Sequence, residues 1–298
     1  MSTMRPFALP TPYGLLAAHV HRPDDDLVTP QPAVIVTGSW LTVKEQMPDR
    51  YAAALAARGF TAVTFDFSGF GQSPGAPRQA ELPMQKAGEI AAAVRAVTSL
   101  SFVHPQVGVL AVCASAQYAL RAIADGAPIA ALACVAGWFH DAVTVAPLYG
   151  GPDGVADRLA RAERALAAYQ ADGTVLTVPA YAEGDDLAGM SLPLPYYGQA
   201  DRGAVPEWRN EMAELSWAAW LTFDGMRVAE QVAAPTLLVH ADDCVLPDNV
   251  RALADRMPAA EVAWGEGSQI DFYDQRAQVD FAVAAAEAHF GRHLEVPA

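Results

Sequence analysis

Val107-Gly108-Val109-Leu110-Ala111-Val112-Cys113-Ala114-Ser115-Ala116-Gln117-Tyr118-Ala119-Leu120-Arg121 is the stretch on which the fold turns. Its first half is an apolar run of the length expected of a buried parallel strand. Its second half carries apolar residues at Tyr118, Leu120, Ile123 and Ala124 and stops at Asp125-Gly126, the pattern of a helix closed by glycine. Small residues, Ala111 and Ser115, stand two before and two after Cys113. A tight strand-to-helix turn that exposes one nucleophilic side chain needs this spacing, because it tolerates no bulk beside the nucleophile. Two other roles fit the same residues. Cys113 can be a small buried hydrophobe, as free cysteine often is. Ser115 can be the nucleophile instead, flanked by Cys113 and Gln117, but glutamine is too large for that turn. The rest of the chain favours Cys113.

Composition bounds the answer. A chain of 298 residues that is 52% hydrophobic can bury a full core, as one large α/β domain or two smaller ones. A net charge of −15 argues against nucleic acid and anionic membranes, which require a basic footprint, and disfavours highly anionic substrates such as free coenzyme A esters. No apolar run is long enough to span a bilayer, and residues 1–5 are followed by prolines where a signal peptide would have its apolar segment. A cytoplasmic protein is expected. Cys113, Cys134 and Cys244 form no CxxC pair, so reduced thiols are expected. A zinc site from Cys113, His140 and Cys244 is unsupported by their spacing, and neither metal nor cofactor is predicted. The expected partner is a small-molecule substrate; association into a homodimer stays open.

In chain order, residues 1–30 form a polar, proline-bearing lead-in with a candidate strand at 15–20 and a turn at Asp24-Asp25-Asp26. Residues 33–36 are a short buried strand followed by Thr37-Gly38-Ser39-Trp40, and a helix over 46–58 stops at Gly59. The next strand, 61–67, leads into the glycine-rich Ser68-Gly69-Phe70-Gly71-Gln72-Ser73, and a helix over 84–99 precedes the strand of the opening stretch. Another buried strand covers 129–135. Strand and helix alternating through short glycine connections predict a mostly parallel sheet with helices on both faces. From 137 to 226 the pattern changes: buried strands stop and aromatics accumulate, Trp138, Tyr196 and Tyr197 among them, with helices expected at 154–170 and 208–223. The sheet pattern resumes at Pro235-Thr236-Leu237-Leu238-Val239-His240. Residues 137–226 are therefore expected to be an inserted helical cap, and 1–136 with 227–298 the α/β core.

These segments together resemble the α/β-hydrolase superfamily over nearly the whole chain. Asp66-Phe67-Ser68-Gly69-Phe70-Gly71-Gln72-Ser73 is similar to its Asp-x-x-Gly-x-Gly-x-Ser turn, and Thr37-Gly38-Ser39-Trp40 to its oxyanion loop. Val43-Lys44-Glu45-Gln46 and Pro77-Arg78-Gln79-Ala80-Glu81 resemble a bacterial subgroup of small esterase- or peptidase-like hydrolases, and cysteine at the elbow resembles dienelactone hydrolase. The resemblance implies a triad carboxylate after the strand at 236–240, four residues before Pro247, which selects Asp243 over Asp242. His240 is expected to be structural. The triad histidine should follow the last strand, at 260–264, but Gln269 occupies its place. His19, His21, His104, His289 and His293 lie away from the strand ends, which leaves His140 as the one histidine that could reach the site.

Chemistry sets the consequence. A thiol at a helix N-terminus is expected to have a lowered pKa and to attack without a neighbouring base. Hydrolysis of an acyl-cysteine needs water deprotonated, which an amide cannot do, and a general base typically contributes a factor of about 10²–10⁴. Gln269 is expected to orient water and to bond Asp243. The backbone N–H of Ala114, with one from Ser39 or Trp40, should form the oxyanion hole, and Trp138, His140, Tyr196 and Tyr197 should bind substrate. The expected function is cleavage of a small, mostly apolar ester, thioester or lactone through Cys113. A lyase, cyclase or acyl transferase on the same fold needs no activated water and is the alternative; a ligand-binding protein without catalysis is the third.

Overall fold

The computed structural model describes residues 2–294. The chain opens with a hairpin, β1 (Thr3–Thr11) and β2 (Gly14–Arg22), then alternates: β3 (Gln31–Thr37), α1 (Met47–Ala56), β4 (Thr61–Phe65), α2 (Pro83–Thr98), β5 (Val103–Val112), α3 (Ser115–Ala124) and β6 (Ala131–Val135). It then leaves the sheet for α4 (Ala142–Val145), α5 (Gly151–Asp172), β7 (Thr177–Val178), α6 (Pro195–Gly198), β8 (Met212–Ala213) and α7 (Ser216–Leu221). It returns with β9 (Thr236–His240), α8 (Pro247–Arg256), β10 (Ala260–Trp264), α9 (Asp271–Asp274) and α10 (Arg276–His293).

The main sheet has eight strands in the order β1-β2-β4-β3-β5-β6-β9-β10. The two pairings made by β2 are antiparallel and the rest are parallel. α1 packs with α10, and α2 with α3. Every residue of β4, β6 and β9 and the last six of β5 are buried, which is what strands covered on both faces require and why they read as unbroken apolar runs. This is the α/β-hydrolase fold. β5 lies at its centre and ends at Val112, just before Cys113, so the elbow sits over the middle of the sheet's C-terminal edge.

Two local expectations are corrected. The lead-in is a full antiparallel hairpin whose turn lies between Thr11 and Gly14, not at Asp24-Asp26; those aspartates follow β2. The proline-bearing β1 is tolerated because it is an edge strand. The helix expected at 208–223 shrinks to Ser216–Leu221. Asn210 accepts from the Tyr181 N–H at 2.7 Å and donates to the Tyr181 carbonyl at 2.8 Å, and Met212–Ala213 pairs with Thr177–Val178. Tertiary pairing thus overrides the local apolar period. The helix at 154–170 extends to Gly151–Asp172. Among the described residues no helix is long and apolar enough to cross a membrane.

Candidate active site

Cys113 occupies the left-handed region at φ +57°, a conformation that costs energy for a non-glycine residue and persists where its surroundings fix it. Here they do. Its N–H donates to the Val135 carbonyl at 3.0 Å, and its own carbonyl accepts from Ala116 at 3.1 Å and Trp138 at 2.9 Å. The side chain is thereby thrown clear of β5 toward the residues that follow β3 and β10. The hydroxyls of Ser39 and Tyr273 and the backbone N–H groups of Trp40 and Ala114 stand beside the sulfur and would favour its thiolate form. Of the two residues expected to offer a second backbone N–H, Trp40 has its N–H beside the sulfur and Ser39 its hydroxyl.

The expectation of a lowered thiol pKa is overturned. Cys113 is only 3% exposed, and burial raises the thiol above its ordinary value despite the four donors that favour the thiolate. Desolvation of the charged form outweighs the helix N-terminus. Ser115, the other candidate nucleophile, is wholly buried; its hydroxyl donates to the Val112 carbonyl at 3.1 Å and accepts from Thr37 at 2.9 Å.

The segment carrying Trp40 is held by two buried carboxylates. Leu41, at φ +60°, donates its N–H to Glu81 Oε2 at 3.0 Å. The same carboxylate accepts from Lys86 Nζ at 2.8 Å and, through Oε1, from the Tyr118 hydroxyl of α3 at 2.8 Å. Glu81 therefore ties the segment carrying Trp40 to the helix that follows Cys113. Asp66 accepts from the Lys44 N–H at 2.9 Å, from Lys44 Nζ at 2.8 Å and from the Gln72 N–H at 2.9 Å. A Cβ on Gly71 would lie 2.3 Å from that carboxylate, which explains the glycine. Lys44 and Glu81, from the segments 43–46 and 77–81, thus shape the site without touching the sulfur.

Gln269 lies where histidine was expected, but its partners differ from those foreseen. Its Oε1 accepts from the Val245 N–H at 3.1 Å, and its Nε2 donates to the Ala136 carbonyl at 2.7 Å and to the Tyr273 hydroxyl at 3.2 Å. Among the described residues it does not bond Asp243. Asp243 lines the same pocket with its carboxylate exposed, and Asp242 instead ion-pairs with Arg251. An amide with three fixed partners is a strut. The strand-end turn at Val245 is drawn to residue 269 through backbone, so the acid has no reason to face it.

The pocket above Cys113 encloses about 300 Å³. Cys113, Ser39, Trp40, Gln269 and Tyr273 line it together, and Trp138, Tyr149, Leu192, Leu194, Tyr197 and Trp220 give it mostly apolar walls. His140 and Tyr196, expected to bind substrate, stand behind those walls. The His140 Nδ1 accepts from the Trp138 indole at 2.7 Å, and its Nε2 faces the Trp220 carbonyl at 2.9 Å. Both ring nitrogens are used, so His140 joins neither a base nor a zinc site with Cys113 and Cys244. Burial lowers it to about 4, leaving it neutral. Tyr196 packs edge-on against Tyr197 and Tyr273, each with ring centres 5.2 Å apart, and faces a separate polar cavity with Arg50 and Arg202. His240, at the end of β9, has its Nε2 3.2 Å from the Val245 carbonyl and does not line the pocket.

Tyr273 was missed by sequence reasoning. Its hydroxyl is 3.1 Å from Ser39 Oγ and 3.2 Å from Gln269 Nε2, beside the sulfur. The available signal was its place four residues after Gln269, where the turn carrying Gln269 leads straight into α9. Glu81 was quoted for resemblance alone, and nothing local betrays its partners at 41, 86 and 118.

Residues 33–284 match the model of the alpha/beta hydrolase family. The chain belongs to that family. Two uncharacterized proteins, YcjY of Escherichia coli (strain K12) and PA2218 of Pseudomonas aeruginosa, are each 35% identical to it, over 104 and 114 residues respectively. Those alignments span 35% and 38% of this chain and about a third of the relatives' own length, 34% and 31%. The crystal structure of the hypothetical protein PA2218 has the same fold at a TM-score of 0.84, with 22% identity over 98% of this chain and 94% of that one. The alpha/beta hydrolase GrgF from Penicillium sp. sh18 has it at 0.80, with 19% identity over 99% of each chain.

Proposed function

We propose that this enzyme cleaves a small, mostly apolar ester, thioester or lactone by forming an acyl-thioester on Cys113. One observation carries it: a sulfur held on a left-handed turn, met by the N–H groups of Trp40 and Ala114, beneath an apolar pocket. The substrate carbonyl would lie against Cys113 with its oxygen toward those two N–H groups, which stabilise the charge that develops there. Residues 137–226 act as the cap, with Trp138 and Tyr197 against the acyl chain. Asp243 offers the carboxylate on the solvent side of the lining.

One observation favours a second outcome for the acyl group. Gln269 cannot take a proton from water, and His140 is walled off, so transfer to an acceptor other than water, or closure onto the substrate's own hydroxyl, competes with hydrolysis. Intact-mass spectrometry tests the proposal. A panel of aryl esters and alkyl thioesters of C4 to C10 chains should add one acyl mass, mapped to Cys113, and added alcohols should release it faster than water alone. Turnover that survives Cys113→Ala would overturn it.

A further inference from the structure

The thiol must lose its proton as the S–C bond forms, and the site has no imidazole to receive it. Tyr273 is placed for the task. α9 is pinned on both sides of it: the Tyr51 hydroxyl donates to the Phe272 carbonyl at 2.6 Å, and Arg202 makes paired bonds to Asp274 at 2.5 and 2.6 Å. Gln269 Nε2 donates onto the Tyr273 oxygen at 3.2 Å, which leaves that hydroxyl's own proton for a partner other than Gln269; Ser39 Oγ lies 3.1 Å away, with the Cys113 sulfur beside them. Tyr197 donates to Ser39 at 3.2 Å and closes the set. Every member is a neutral hydroxyl, amide or thiol, and apart from the half-buried Gln269 each is buried where an isolated charge would be costly.

Resting on the Cys113 acyl-enzyme, we propose that Tyr273 is a catalytic residue that exchanges protons between the thiol and the oxygen of the leaving or incoming group. During acylation the sulfur attacks the carbonyl carbon, the bond from that carbon to the leaving group breaks, and the leaving group departs with its electron pair. The thiol proton passes to the Tyr273 oxygen while the Tyr273 proton passes to the leaving group. Tyr273 ends as it began, and no ion pair is created. Release reverses the sequence: the acceptor hydroxyl gives its proton to Tyr273, Tyr273 gives its own to sulfur, and the thiol is restored. Gln269 suits this exchange better than histidine because it orients the phenol and does not itself ionise.

The test is leaving-group dependence. Tyr273 takes the thiol proton with either ester, but p-nitrophenolate departs ahead of the proton it then receives, whereas an alkoxide must receive it as its bond breaks. Tyr273→Phe should slow acylation by an alkyl ester about 100-fold, the scale of general acid–base help, and by the p-nitrophenyl ester of the same acid less than about tenfold. Acylation is read by intact mass in single-turnover mixing. In the unaltered protein a solvent deuterium isotope effect should accompany the alkyl ester and shrink for the aryl ester, which keeps the test intact if the variant folds poorly. Equal slowing of both esters, or of neither, would overturn the role of Tyr273. Failure to find any acyl mass on Cys113 would overturn the nucleophile itself, a distinct outcome seen before any ratio is taken.

Discussion

Glu81→Ala removes a carboxylate that is wholly buried and accepts from Leu41, Lys86 and Tyr118. The Lys86 side chain is 3% exposed, so its ammonium would be left buried without its carboxylate, a change that typically costs about 3–5 kcal/mol. The Leu41 N–H and the Tyr118 hydroxyl also lose their acceptor, each worth about 1–3 kcal/mol if water cannot follow. These losses share one cavity and do not add. The Phe67 and Phe70 rings, 4.6 and 4.1 Å from Lys86 Nζ, keep part of the ammonium's stabilisation. A net loss of about 4 kcal/mol is expected, a large part of the roughly 5–15 kcal/mol that holds a domain folded. Glu81→Gln keeps one carbonyl for Leu41 and Lys86 and presents an amide to a tyrosine oxygen that can accept, so about 1–2 kcal/mol should be lost. Urea denaturation followed by tryptophan fluorescence measures both. Glu81→Gln should fold and still acylate more slowly, by about tenfold, because the Trp40 N–H is held through its neighbour; loss of a whole oxyanion donor costs about 10²–10³. A loss below about 1 kcal/mol for Glu81→Ala, or equal losses for the two variants, would refute the bracing role.

Burial lowers His140 and His240 to about 4 from 6.5, so between those values the unfolded chain binds protons that the folded chain refuses. Stability should be full above pH 6.5 and fall toward pH 4, by up to about 3 kcal/mol per histidine, and His140→Gln should flatten about half of that slope in urea titrations at pH 7, 5.5 and 4.5. Alkylation by a small neutral reagent should reach Cys113 first and Cys244 next, since both line the pocket, while Cys134, inside β6, stays unlabelled until unfolding; mass mapping decides the order. Gln269→His should raise aryl-ester hydrolysis by no more than about tenfold, well under the full effect of a general base, because Asp243 is not aimed at position 269 to orient an imidazole. A gain of a thousandfold in steady-state turnover would show that the acid swings to it freely. Trp138→Ala should raise the KM for C8 esters while urea stability changes little, since the ring walls the pocket and its indole bonds only His140.

Much of this protein is written in local pattern. Apolar runs of strand length, glycine stops and the small residues around Cys113 each depend on a few neighbours, so β3 to β6, β9, β10 and the elbow are legible without any tertiary information. Residue 269 was legible too, as a position and as a missing imidazole. Sequence by itself therefore determines the fold, the sulfur at its centre and the absence of a histidine beside it. Three matters were settled only by long-range packing. Desolvation depends on everything that surrounds a group, and it raised the Cys113 thiol where a helix N-terminus alone would lower it. Hydrogen-bond partners depend on what the folded chain brings close. Gln269 therefore met Ala136, 133 positions away, and not Asp243, while Glu81 met Leu41, 40 positions away. His140 and Tyr196 carry the right chemistry for a site yet stand behind its wall. Which face of an aromatic-rich segment turns inward is fixed by how its short elements pair, as Met212–Ala213 with Thr177–Val178, and no period in the sequence records that pairing.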